Sequence, residues 1–394
     1  MTILLLILIY LAFISLGLPD SMIGASWPAM QPEYTVPYSY AGILSIVGFA
    51  FTILSSFFSV KVIRRFGTGR VMIASVLLTA IALFGISTAP SFYLAIAFCI
   101  PLGLGGGCVD AGLNAFVAEH YKSRHMSWLH CFWGVGAMIG PAIISRSIQT
   151  EGWRSGFFAV SSLQFALCVI LLFSLPLWKR VAANSGDVPT QQDGESQPID
   201  DKGMFYVLRI KGVKSVLFSF LFYCAAEATM GLWGASFMTT VKGASPAEAA
   251  QWVSFFFLGI TIGRFVTGFA TIKLRNTALI RLGEGIILAG ILLVLLPLPV
   301  VVNAVGFILI GLGCAPIFPC MLHETPVRFG KQNARVIMSF QLSFSYIGCT
   351  VMPPLFGVLA QNTTFLTFAP YLLVCILLLI VCTERIHRIT RQVQ

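Results

Sequence analysis

Four ionisable side chains stand in stretches of this sequence that otherwise hold no charge: Asp20 in GLPDS, Asp110 in CVDAGLN, Glu227 in CAAEATM and Arg264 in TIGRFV. A carboxylate is the side chain that exchanges a full charge for a neutral acid by taking up one proton, and an apolar setting disfavours its charged form. Asp110 precedes Asn114 by four residues, which on a helix puts an acid and an amide on one face. Apolar stretches also carry Trp27, His130 and Trp133, and further on Tyr223, Trp233 and Gln341. Planar rings beside amides and carboxylates suit a polyhydroxylated solute, whose C–H faces stack on rings while its hydroxyls exchange hydrogen bonds. A packing role competes for each ring, and Trp27 and Trp233 lie toward segment ends, where interfacial aromatic belts form. His130 reads as a proton partner or as a structural hydrogen bonder. The chain shows no metal triad, phosphate loop or nucleophile elbow, so no cofactor and no enzymatic chemistry is expected.

The elements that must position these residues follow from composition. Of 394 residues 10 % are charged and 57 % hydrophobic, where a soluble domain carries about a quarter charged residues. This is the composition of a chain dissolved in a lipid bilayer. Apolar stretches long enough to cross it occur at twelve places, here called spans 1 to 12: 3–30, 40–61, 70–88, 92–119, 128–149, 155–178, 213–240, 250–271, 278–299, 302–325, 336–360 and 363–383. The expected fold class is an all-α integral membrane protein.

A net charge of +10 raises the possibility of a nucleic-acid partner, but the basic residues sort by side of the membrane instead. With the N-terminus cytoplasmic, 21 of the 25 Lys and Arg fall in cytoplasmic connections and the tail, while only Arg146, Arg154 and Lys242 fall outside. That asymmetry obeys the positive-inside rule and predicts cytoplasmic N- and C-termini in a plasma membrane. No nucleic-acid partner is expected. The ten cysteines all fall in spans, without a CxxC pair or metal-ligand spacing, and read as small packing residues. MTILLLILIYLAF lacks the basic start of a signal peptide and is read as the beginning of a retained span.

Residues 179–212 form the single long polar stretch and hold five of the fifteen acids. They are expected to be a cytoplasmic linker between two six-span bundles, 1–178 and 213–394. The halves also repeat one another. GASW at Gly24 answers GASF at Gly234, GLGG at Gly103 answers GLGC at Gly311, and a glycine five residues before a proline recurs at Gly136 and Gly348. Three matches at nearly one offset, in spans of corresponding rank, argue for a duplicated six-span unit. GLGGG at 103–107 is a glycine run for close helix packing, because no strand precedes it as a nucleotide fingerprint would need.

With these features the chain resembles the major facilitator superfamily. GLPD in span 1, VDAGLN in span 4, GRF in span 8 and GCAPIFP in span 10 are similar to its fucose-galactose-glucose proton symporter branch. The resemblance implies two pseudo-symmetric bundles in which spans 1, 4, 7 and 10 line a central cavity and spans 3, 6, 9 and 12 face lipid. It also implies that Asp20 carries the proton, that Asp110 binds substrate and is coupled to it, and that Asn114 is a sugar ligand. This chain departs from the branch in having Gly17 where an asparagine is usual, an aspartate at 110 in place of a glutamate, and Glu227 as an extra acid. The loop motif after span 2 is altered to KVIRRFGTGR, with Arg64 at the place of an acid.

A charge at the bilayer centre costs at least about 2.5 to 3.5 kcal/mol, so it persists where it meets water, a partner or a substrate. The sequence therefore predicts a secondary active transporter that imports a sugar or related polyhydroxylated solute with protons, by alternating access. Proton coupling is expected from Asp20, Asp110 and Glu227. Substrate contacts are expected from Asp110, Asn114, Trp27, His130, Trp133, Tyr223, Glu227, Trp233 and Gln341, and conformational latches from Arg64, Arg65 and Arg264. Sodium is the alternative coupling ion, and proton-coupled efflux of amphipathic drugs or metabolites is the alternative function. A non-transporting receptor is the reading from a different class. A monomer in the bilayer is the default for this architecture.

Overall fold

The computed structural model describes residues 2–121, 123–184 and 204–391. The stretch 185–203, the middle of the expected linker, lies outside the described residues. The described chain is helical: α1 Thr2–Asp20, α2 Met22–Tyr34, α3 Ala41–Phe66, α4 Thr68–Thr88, α5 Phe92–His120, α6 Ser123–Thr150 and α7 Trp153–Asn184 in its first part. The remainder is α8 Val213–Thr240, α9 Pro246–Lys273, α10 Asn276–Leu295, α11 Val300–Phe329, α12 Lys331–Asn362 and α13 Phe368–Arg391. Twelve segments are long and apolar enough to cross a bilayer, because α1 and α2 together make a single span, Ile3–Tyr34. Each coincides with an expected span to within several residues.

Two compact units are formed: Met1–Thr190 with Gly231–Phe257, and Gln191–Met230 with Leu258–Gln394. The first unit closes over a core in which Leu5, Ile9 and Phe13 of α1 meet Met72 and Val76 of α4, Leu113 and Phe116 of α5, and Leu171 and Trp178 of α7. Its outside is equally apolar. Phe57, Tyr93 and Phe173 are each more than three-quarters exposed, which is the surface expected where the solvent is hydrocarbon.

The glycine run in α5 shows why side chains are missing there. A Cβ at Gly103 would come within 2.3 Å of the Gly48 carbonyl oxygen, and one at Gly107 within 2.2 Å of the Thr52 carbonyl oxygen, both on α3. Gly105 turns the other way, where a Cβ would stand 2.6 Å from the Ser75 carbonyl oxygen of α4. The run is thus pressed between two helix backbones, the close approach that small residues permit in membranes. Span 3, expected to face lipid, leaves Leu77, Leu78, Ile81 and Phe84 exposed along one side. Its other side packs on α5 and α7.

In the second unit α10 packs along α11 and also meets α13. Arg281 of α10 grips Glu384 of α13 through two hydrogen bonds, of 2.6 and 2.9 Å. One turn on, the Thr383 hydroxyl donates to the buried Glu284 carboxylate at 2.7 Å.

Candidate functional site

Span 1 is broken near its middle. Pro19 has no N–H, so the carbonyl of Ser15, four residues earlier, loses its helical donor. Gln164 of α7 supplies one instead, its amide nitrogen standing 2.6 Å from the Ser15 oxygen in the interior of the first unit. Helix α1 ends at Asp20 and α2 starts at Met22, with the Ser21 hydroxyl between them donating to the Ala137 carbonyl of α6 at 2.8 Å. Interrupted helices at this depth are where membrane carriers hold ions, since polar backbone is tolerated only where protein or a wet cavity covers it.

Asp20 stands at that break. Its side chain is exposed, and its carboxylate Oδ2 accepts a hydrogen bond of 2.8 Å from the indole N–H of Trp133 on α6. What brings Trp133 there is backbone contact: a Cβ on Gly17 would lie 2.1 Å from the Trp133 carbonyl oxygen, and one on Gly136 2.0 Å from that of Ile14. The departure from the branch pattern at residue 17 therefore has a steric reason, because a longer side chain there would push α6 off α1. Asp110 lies on α5, which packs against α1 in the same unit.

Asp110 and Asn114 do share a face. The Asn114 amide nitrogen donates to the Asp110 carboxylate at 2.8 Å and to its backbone oxygen at 2.9 Å. Both partners are acceptors, which fixes the amide orientation and leaves Asn114 Oδ1 as a buried acceptor without a donor. Such an atom costs about 1 to 3 kcal/mol and is met by any ligand that offers a hydroxyl. His130 is exposed and stands edge-on to Phe13, 6.0 Å between ring centroids.

Other expected site residues have interior positions. Trp27 is fully buried and donates its indole N–H to the Tyr38 carbonyl at 3.0 Å. Trp233 is also fully buried. In the second unit the buried Tyr223 donates its hydroxyl to the Cys314 carbonyl at 3.0 Å, and buried Gln341 exchanges hydrogen bonds with Thr325 at 2.9 and 3.1 Å. Glu227 and Arg264, each about one-fifth exposed, face one another at 3.9 Å. That gap is an ion pair without a hydrogen bond. Arg64 and Arg65 end α3 on the surface, Arg65 lying over the Phe66 ring at 5.5 Å. All ten cysteines are described, and no disulfide joins them.

Sequence reasoning gave no sign of two contacts that shape the site. Trp133 to Asp20 and Gln164 to Ser15 join residues 113 and 149 positions apart, and nothing in either local pattern announces the partner.

The twelve membrane-length spans define a multi-pass membrane protein. The sequence profile of the Major Facilitator Superfamily matches residues 9–353, and the chain belongs to that superfamily of transporters. Among curated relatives, the Bacillus subtilis "Glucose/mannose transporter GlcP" is 24 % identical over 381 residues, 94 % of this chain and 91 % of that protein. The Corynebacterium glutamicum "Gentisate transporter" is 24 % identical over 391 residues, 94 % of this chain and 86 % of that one. "Bypass of stop codon protein 6" of Saccharomyces cerevisiae is 24 % identical over 277 residues, 66 % of this chain, and the match spans only 55 % of that longer protein. The crystal structure of the transporter FucP in the outward conformation shares the fold, with a TM-score of 0.64 at 13 % identity over 96 % of this chain and 97 % of that one.

Proposed function

We propose that this secondary transporter carries a sugar or a related polyhydroxylated solute together with protons, inward across the plasma membrane, with both termini cytoplasmic. The observation that carries the reading is the cluster in the first unit. The Asp20 carboxylate on α1 accepts from an indole donor, and on α5, which packs against α1, the Asp110 carboxylate holds an amide with an unfilled acceptor. Asp20 is the proton carrier, and Asp110 with Asn114 offers acceptors to solute hydroxyls. A carrier that crosses its closed intermediate with a neutral acid avoids dragging a bare charge through it, and each proton moving inward yields about 2.3 kcal/mol per 100 mV. His130, exposed beside this cluster's helices, joins the solute contacts. Glu227 and Arg264 form a second polar pair, which we assign to the conformational cycle together with Arg64 and Arg65. Trp27, Trp233, Tyr223 and Gln341 are assigned to scaffolding, since their polar groups are already engaged or sealed within the fold.

The similarity to a glucose/mannose transporter supports a sugar, and the similarity to a gentisate transporter makes an aromatic acid the sharpest rival. A thermal-shift screen separates them. D-glucose, D-mannose, L-fucose, gentisate and a lipophilic cation are each added to purified protein at two pH values. A bound solute at a hundred times its Kd stabilises by about 2.7 kcal/mol. Stabilisation by a monosaccharide that differs between the two pH values is the expected result. Stabilisation by gentisate or the cation alone would replace sugar with that class.

A further inference from the structure

Trp133 does more in this fold than line a wall. Its indole N–H points at the Asp20 carboxylate, 2.8 Å away, while its ring stands edge-on to Phe257 of α9, with centroids 6.3 Å apart and planes at 78°. Phe257 closes the segment Gly231–Phe257 that is compact with the first unit. The same segment is tied to α6 by the Ser254 hydroxyl, which donates to the Met138 carbonyl at 2.8 Å. One side chain therefore touches both the acid at the break in span 1 and the part of span 8 that belongs to the first unit. Its backbone is packed closely on α1, where a Cβ on Gly17 would stand 2.1 Å from the Trp133 carbonyl oxygen.

We infer that Trp133 positions the Asp20 carboxylate and relays its state to span 8, through the indole N–H at one edge and the Phe257 contact at the other. A donor aimed at a carboxylate binds the charged form more strongly than the neutral acid. When Asp20 takes up a proton the indole loses part of that hold, and the ring is released to move against Phe257. The role of Trp133 is thus one of positioning and is distinct from solute contact. The relay rests on the proposed function only for its purpose in transport. The contacts themselves are tested without a solute.

Two measurements on the purified full-length protein decide the matter. The first is the resonance Raman difference between wild type and Trp133→Phe, which isolates the N–H-sensitive band of this one indole among seven tryptophans. The band should report a strong hydrogen bond in wild type, a weaker one in Asp20→Asn and none in Asp20→Ala. A band that is the same in all three backgrounds would overturn the positioning claim. The second is hydrogen exchange of the backbone over residues 251–257. Asp20→Ala should speed it by about tenfold, the effect of losing one charge-assisted hydrogen bond, and should do so only when Trp133 is present. Equal acceleration in the Trp133→Phe background, or none in either, would overturn the relay. A transport assay in which Asp20→Asn still accumulates solute would instead refute the proposed coupling role of Asp20 and leave both of these results standing.

Discussion

Glu227 and Arg264 show how distance decides what a charged pair is worth. At 3.9 Å and about one-fifth exposed, they attract one another without a shared hydrogen bond, so the coupling should be of the order of 1 kcal/mol, below the roughly 3 to 5 kcal/mol lost when a well-bonded buried pair is broken. A double-mutant cycle of Glu227→Gln and Arg264→Gln, read by thermal unfolding, checks this. A coupling several times larger would mean that the pair is a structural lock. The Asp20 carboxylate is in a different position, with a donor at 2.8 Å. The acids themselves are legible in the sequence, because a charge within an apolar stretch stands out at once, and so is the shared face of Asp110 and Asn114, because four residues make one helical turn. Trp133 as the partner of Asp20 is not legible, since aromatic residues are common in membrane spans and a contact between spans 1 and 5 leaves no periodic trace.

At the level of elements, the break in span 1 depends on a helix far along the chain. Pro19 frees the Ser15 carbonyl and Gln164 of α7 fills it at 2.6 Å. Gln164→Ala should therefore cost about 1 to 3 kcal/mol by leaving a buried carbonyl unsatisfied. Adding Pro19→Ala should recover much of the loss, because the restored N–H can reach the same oxygen. Melting curves of the two single variants and the double variant test this, and strictly additive losses would contradict it. The twelve spans were readable because a bilayer demands about twenty apolar residues per crossing and leaves the polar breaks conspicuous. The break at Ser21 was only hinted at by Pro19, since Pro28 and Pro32 lie within the same span and interrupt nothing. A proline ends a helix when the neighbouring packing favours the bend, and packing is not written locally. Glu284 is a similar case. It stands near the start of span 9, and nothing local announces that the fold buries it under Thr383.

For the molecule as a whole, the proposed function ties the movement of a solute to the free energy of protons, and Asp20 and Asp110 of the first unit are the acids proposed to do so. The apolar stretches between polar breaks made the twelve-span architecture readable, whereas the choice of solute rests on a few contacts that twelve-span composition does not encode. The account's central claim is that Asp20 couples proton entry to solute movement. Reconstituted Asp20→Asn protein, given an imposed inward proton gradient and the solute that stabilises it in the thermal screen, provides the direct measurement. The account predicts that uphill accumulation is abolished while counterflow exchange across the same vesicles continues. Accumulation by Asp20→Asn at the wild-type level would contradict it.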